Sequence, residues 1–180
     1  MPTYKGAMKT IRGSIQTADD DGAVTEKLIF NYESPDRTRG WIVEGAWLWL
    51  ADQDTSVSSG GAFALMGNLA TDSYTKTESS ILDPDDNRSI GWFSKQYVSQ
   101  NGTANDFNFP NAVTLSQSSF LLDLERIITN DLYISACTVA GQTQSGPFNC
   151  GYMIVLREVS LSAGQSLLQQ LKGIGQNVDN

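Results

Sequence analysis

The stretch Gly40 to Ala51, GWIVEGAWLWLA, decides how the rest of the chain is read. Strict alternation places Trp41, Val43, Trp47 and Trp49 on one face and Ile42, Ala46, Leu48 and Leu50 on the other. A segment apolar on both faces predicts a strand that is central in a sheet or covered on both sides. It is the most apolar run of the chain, yet Glu44 and Gly45 interrupt it. It falls well short of the ~20 residues that a spanning helix needs, so no transmembrane segment is expected. The even spacing of the tryptophans directs them together into the core, where large aromatics contribute most burial.

Working outward, the same period recurs. A first strand is expected over Met8 to Thr17, closed by Ala18-Asp19-Asp20-Asp21-Gly22, because Asp and Gly tolerate the left-handed turn conformation. In Val24 to Tyr32, Val24, Leu28, Phe30 and Tyr32 share one face with Glu26 as the exception, while Thr25, Lys27 and Asn31 lie opposite around Ile29. Ser34-Pro35-Asp36 turns the chain into the central stretch. Beyond it, Asp52 to Gly61 reads as a loop, Ala62 to Met66 as a short apolar strand or helix, and Asp72 to Ile81 as a further strand. Asp83-Pro84-Asp85-Asp86-Asn87 is a turn, and Ser89 to Ser99 a strand with Ile90, Trp92 and Val98 opposite Phe93 and Tyr97.

After the loop Gln100 to Pro110 and a short piece at Ala112 to Ser116, Phe120 to Thr129 alternates again. There Phe120, Leu122, Leu124 and Ile128 face away from Leu121, Asp123, Glu125 and Ile127. Asn130-Asp131 turns into Leu132 to Val139, and the loop Ala140 to Asn149 leads to Cys150 to Leu161. Ser162 is an N-cap candidate for a helix over Ala163 to Lys172, with Leu167, Leu168 and Leu171 as its apolar stripe and Gly173 as its stop. Evenly distributed strands without intervening helices exclude a parallel α/β sheet. The expected fold is an all-β, eight-stranded antiparallel β-sandwich of jelly-roll type with a short C-terminal helix. Residues 1–161 form the sandwich domain and 162–180 the helix and tail.

The 180 residues contain no histidine, which excludes Ser-His-Asp and Cys-His catalysis and histidine-ligated metals. A net charge of −8 opposes phosphate-backbone binding, so no direct nucleic-acid contact is expected. MPTYKGAMKTIRG has no apolar h-region, so no signal peptide is expected. Cys137 and Cys150 are read as buried free thiols rather than a disulfide across a hairpin.

Asp83 to Asn87 places oxygens at the first, third and fifth positions of a calcium loop, but Arg88 and Ser94 stand where that loop needs Gly and Glu. It is therefore read as a solvated turn, and no metal or cofactor is expected. Two carboxylates suffice for some glycosidases, which makes Glu44, Asp123 and Glu125 the catalytic candidates on a β-sandwich. Nothing in the sequence pairs them, so an enzyme is not the expected reading. Trp41 and Trp92, nearer their strand ends, are the candidates for stacking on a sugar ring.

Eight strands, an acidic Ser/Thr/Asn-rich surface and the closing segment Gly151-Tyr152-Met153-Ile154-Val155-Leu156-Arg157-Glu158-Val159 resemble the single jelly-roll capsid proteins of small icosahedral viruses. The resemblance implies a structural virion protein that self-associates, or co-assembles with other virion proteins, into a shell. It is expected to be made as a soluble protein. Many such proteins carry a basic N-terminal arm; here only Lys5, Lys9 and Arg12 lie near the start. Candidate subunit contacts are Phe107 and Phe109 in one loop, Phe148 in another, and Leu167, Leu168 and Leu171. The alternative expectation is a carbohydrate-binding β-sandwich module, lectin-like or part of a spike, using Trp41 or Trp92.

Overall fold

The computed structural model describes residues 3–32, 38–51, 62–98, 118–140, 147–162 and 164. Eight strands follow in chain order: β1 (Thr3–Gln16), β2 (Thr25–Asn31), β3 (Arg39–Leu50), β4 (Ala62–Ala70), β5 (Ser89–Val98), β6 (Leu121–Leu122), β7 (Asp131–Ala140) and β8 (Asn149–Ser160). They pair antiparallel into a three-stranded sheet of order β1-β8-β3 and a five-stranded sheet of order β2-β7-β4-β5-β6. Ile15, Leu48, Tyr152, Ile154 and Leu156 of the first sheet meet Phe30, Phe63, Leu65, Phe93, Leu132 and Ile134 of the second in one buried cluster. The molecule is an antiparallel β-sandwich.

β3 is the strand that the alternation picked out, but its faces differ from the expected ones. Val43 pairs with Leu156 and Gly45 with Val155, so Glu44 is an extra residue in a β-bulge. One extra residue exchanges the two faces beyond it. Trp41 and Val43 therefore pack inward before the bulge, and Ala46, Leu48 and Leu50 after it. Trp47 and Trp49 turn outward and are half-buried, their rings lying against Gly45 and Gly151. A Cβ at Gly151 would stand 2.6 Å from the Trp49 ring, so glycine is what lets that indole lie close to the sheet. The tryptophans do not share a face.

β2 repeats the effect. Leu28 pairs with Tyr133 and Phe30 with Leu132, which leaves Ile29 as the bulged residue. Leu28 is accordingly 45% exposed, whereas Phe30 is buried in the core.

Of two expected strands, one does not form and the other is cut short. Asp72 to Ile81 is a loop that crosses the outer face of the five-stranded sheet, with Ile81 fully buried and its carbonyl accepting from Asn68 Nδ2 at 3.1 Å. Phe120 to Thr129 is strand only at β6; Asp123 Oδ1 accepts from Glu125 N at 3.0 Å and bends the chain. Side-chain capping by Asp offers the backbone an alternative to the ladder. The segment continues to β3, where Ile128 bridges Trp41 and Ser119 bridges Trp47, so it flanks that edge of the three-stranded sheet. The Asp19 to Gly22 turn is as expected, with Gly22 at φ +75° and its N–H bonded to Thr138 O at 2.9 Å.

The expected loop Gln100 to Pro110, the piece Ala112 to Ser116 and the helix Ala163 to Lys172, save Gly164, lie outside the described residues. A C-terminal helix is not part of the fold described. No helix among the described residues is long and apolar enough to cross a membrane.

Candidate functional site

Two turns meet beside the β5–β6 end of the five-stranded sheet. The first is built by aspartates: Asp83 Oδ1 accepts from Asp85 N and Asp86 Oδ1 from Arg88 N, each at 2.9 Å. Arg88 then grips Asp86 with two side-chain bonds, Nε at 3.0 Å and a terminal nitrogen at 2.7 Å. That guanidinium holds the Asp86 carboxyl below the usual carboxylate range. The second turn, residues 123–126, is fastened by Asp123 N to Ile90 O at 2.9 Å. Trp92 stands between them, its indole N–H donating to Asp83 O at 3.1 Å.

The result is a cleft of about 140 Å³ lined by Pro84, Asn87, Ser89, Trp92, Asp123, Glu125 and Arg126, with Asp86 at its border. Asp86 also borders a neighbouring cavity of about 390 Å³ beside Tyr74, Ser80 and Arg88. Tyr74 is held there by a hydrogen bond to Ser89 Oγ at 2.6 Å. Two cations lie over its ring, Lys76 Nζ at 3.6 Å and Arg88 Cζ at 4.1 Å from the centroid. Burial pushes the Tyr74 hydroxyl above its ordinary value.

Of the residues expected from sequence, Trp92, Asp123 and Glu125 come together in this cleft. Glu44 does not join them: Arg157 takes it with Nε and, at 3.0 Å, with a second nitrogen. Trp41 is not open for stacking along its length, because Phe30 and Tyr32 meet it edge-on with centroids 5.9 and 6.0 Å away. Phe148 is corrected from an exposed contact to a core residue, fully buried and stacked on Phe63 at 4.8 Å. Its loop position suggested exposure, but it is the residue that leads into β8. Phe107, Phe109, Leu167, Leu168 and Leu171 lie outside the described residues.

Asn87 and Arg126 were missed as site residues; the first lay inside a recognised turn, and the second carried no local signal. Exposed Leu121 and Leu124, 74% and 63% accessible, were likewise assigned by alternation to opposite faces of a longer strand. Among the described residues, no group of three or more His, Cys, Asp or Glu is placed to hold a metal.

Cys137 is a free thiol on β7, in the sheet opposite Cys150, and both are buried. Burial, followed by the charges of Glu78 and Asp21, pushes the Cys137 thiol up to about 11. A thiol raised in the folded state binds its proton more tightly there than in the unfolded chain. Its stabilising contribution is full below the ordinary thiol value and is lost as pH rises toward 11. Cys137→Ala is therefore expected to flatten the fall in unfolding free energy between about pH 9 and 11, by about 2 kcal/mol. Urea titrations of both proteins at stepped pH check this. Equal slopes would refute it.

Two packed antiparallel sheets with a capped polar cleft place the chain among the β-sandwich proteins. No protein-family model matches it, and no curated protein matches its sequence. Among the solved structures similar in fold are polyomavirus VP1 capsid proteins. One is Trichodysplasia spinulosa-associated polyomavirus VP1 in complex with GM1 oligosaccharide, at TM-score 0.46 and 12% identity, covering 90% of this chain and 98% of that one. Another is Merkel cell polyomavirus VP1 in complex with GD1a oligosaccharide, also at TM-score 0.46 and 12% identity, covering 89% and 97%. Chimpanzee polyomavirus VP1 is similar at TM-score 0.44 and 8% identity, covering 89% and 98%.

Proposed function

We propose that the chain is a structural virion protein, a jelly-roll subunit that acts by associating with copies of itself, and with other virion proteins, in an icosahedral shell. The strand orders β1-β8-β3, flanked by the 118–128 segment, and β2-β7-β4-β5 follow the two interleaved Greek keys of a jelly roll. That fold also serves lectins and cupins, so the order alone does not choose among them.

The observation that favours association is β1. It is 14 residues long, with an irregularity between Tyr4 and Met8, and among the described residues it pairs only with β8. Its residues Gly6 to Thr10 and Arg12 to Ser14 are exposed. Lys27 Nζ covers the Ser14 carbonyl at 2.8 Å, which among the described residues leaves Met8 to Gly13 as the regular open edge. A long open edge is a template for pairing with another chain. Of the three candidate carboxylates for a hydrolase, Glu44 is committed to Arg157 and Asp123 to its own turn, which leaves Glu125 without a second carboxylate to work with. The net −8 makes protein rather than nucleic acid the partner. Phe107, Phe109, Leu167, Leu168 and Leu171 are proposed as further contacts, and the virion as the location.

Light scattering and electron microscopy across a concentration series test the proposal; growth into closed particles or discrete oligomers is expected. Thr10→Pro and Ile11→Pro separate the edges, since one of two neighbouring N–H groups points to β8 and the other to the open side. The variant that keeps its thermal melt is expected to lose assembly. A chain monomeric at millimolar concentration, or assembly unchanged in that variant, overturns this mechanism.

A further inference from the structure

We propose that the contact between copies joins two unlike surfaces: the β1–β2 side of one copy receives the β6 turn of the next. The proposal rests on the association reading above and names the surfaces that meet. The strand orders set the geometry. β1 and β3 are the outer strands of one sheet, and β2 and β6 are those of the other. β1 lies over β2, where Lys27 Nζ reaches Ser14 O and Lys9 Nζ sits 4.6 Å from the centre of the Phe30 ring. β3 lies over the segment that carries β6, through the bridges Trp47 to Ser119 and Trp41 to Ile128. The sandwich therefore has two opposite sides, β1–β2 and β3–β6.

Among the described residues, the exposed large apolar side chains divide between these sides. Met8 and Leu28 stand on β1 and β2, and Leu121 and Leu124 on β6 and the turn that follows it. Charge divides in the same way. The β1–β2 side exposes Lys9, Arg12 and Lys27. The carboxylates bordering it are engaged: Glu26 by Lys76, Glu44 by Arg157 and Asp131 by Asn31. The opposite side exposes Asp123 and Glu125 around Leu124, and Asp83 lies in the turn that meets theirs. Arg126, half-buried, offsets only part of that charge.

This division selects the pairing. Two β1–β2 sides brought together would set Lys9, Arg12 and Lys27 against their own copies. Two β6 sides would do the same with Asp123 and Glu125. Like charges apposed across an interface oppose it, and unlike charges fix partner and register. Only unlike sides cover apolar surface on both copies and meet with opposite charge. The basic side also carries the open edge from Met8 to Gly13, so the strand edge and the charge fall on one surface. A contact between unlike surfaces leaves each copy one surface free for a further copy. It therefore closes into a ring or runs on as a filament, and never ends at a symmetric dimer.

The test is sedimentation velocity on two variants of the full chain, one for each side. Arg12→Glu with Lys27→Glu reverses the basic side, and Leu121→Ser with Leu124→Ser strips the apolar turn. All four residues are exposed, so thermal melts close to that of the unaltered chain verify folding. Arg12→Glu alone or Glu125→Lys replaces either pair if its melt falls. Each variant by itself is expected to lose about tenfold or more in association constant and to run as a monomer. An equimolar mixture is expected to form a one-to-one dimer and nothing larger. One intact junction remains in it, the first variant's β6 turn on the second variant's β1–β2 side. A variant that still self-associates, or a mixture that stays monomeric, overturns the unlike-surface contact and leaves association itself standing. An unaltered chain that is monomeric at millimolar concentration overturns both.

Discussion

Phe148→Ala is expected to lower the unfolding free energy by about 3–5 kcal/mol, the cost of deleting a fully buried aromatic from a core that relaxes only in part. Phe148 is 0% exposed and lies flat on Phe63, with centroids 4.8 Å apart and planes 12° apart. Phe63 belongs to β4 and Phe148 immediately precedes β8, so the pair joins the two sheets. Its backbone is also engaged: Phe148 N donates to Thr17 Oγ1 at 3.0 Å, and Thr17 N donates to Phe148 O at 2.9 Å. Alanine keeps those backbone groups and loses the ring, so the whole effect reports packing. Domains of this kind have only about 5–15 kcal/mol to lose. Urea unfolding followed by tryptophan fluorescence measures the change, and Phe148→Leu is expected to cost clearly less. A loss below about 1 kcal/mol would return Phe148 to the surface.

Glu26→Gln is expected to cost about 2–4 kcal/mol near neutral pH, because it strands a buried ammonium. Lys76 has a side chain only 1% exposed, and its Nζ lies 2.5 Å from Glu26 Oε2. Ser73 Oγ donates to Glu26 Oε1 at 2.5 Å and Ser135 Oγ to Oε2 at 3.3 Å, so the carboxylate ties the 71–88 loop to β2 and β7. Glu26 itself is 22% exposed, and solvent there screens part of the pair, which places the effect toward the lower end.

The variant also carries a pH signature. Burial holds the Lys76 amine below its ordinary value, and Glu26 opposes that displacement. Without Glu26 the amine falls further. A base lowered in the folded state binds fewer protons there than in the unfolded chain, so stability rises as pH climbs between the two values. The deficit of Glu26→Gln should therefore shrink between pH 7 and about pH 10. Adding Lys76→Met should recover most of the loss at neutral pH, since the paired removal leaves no buried charge. A deficit constant across pH would show that the amine is not the source.

The order of turns and the antiparallel class were legible because their causes are local. Asp19 to Gly22 and Asp83 to Asn87 turn the chain through aspartate side chains that bond backbone within two residues or glycine at positive φ. Alternation also located β3, β7 and β8 to within one or two residues. It failed where a cap outweighed it, as at Asp123, and at Asp72 to Ile81, which packs as a covering loop over Asn68 and Ser135.

By itself, then, the sequence determined that this is an antiparallel β protein without histidine chemistry and where its turns fall, since composition and short-range bonding need no knowledge of partners. Tertiary structure decided which faces point inward and what forms the cleft. Alternation defines a face only while register holds, and the bulges at Ile29 and Glu44 exchange faces although the alternation itself runs on through them. Trp47 and Trp49 are thereby turned out of the core that their spacing promised them. The cleft draws Asn87 and Trp92 from one part of the chain and Glu125 and Arg126 from another, and their meeting depends on β5 pairing with β6.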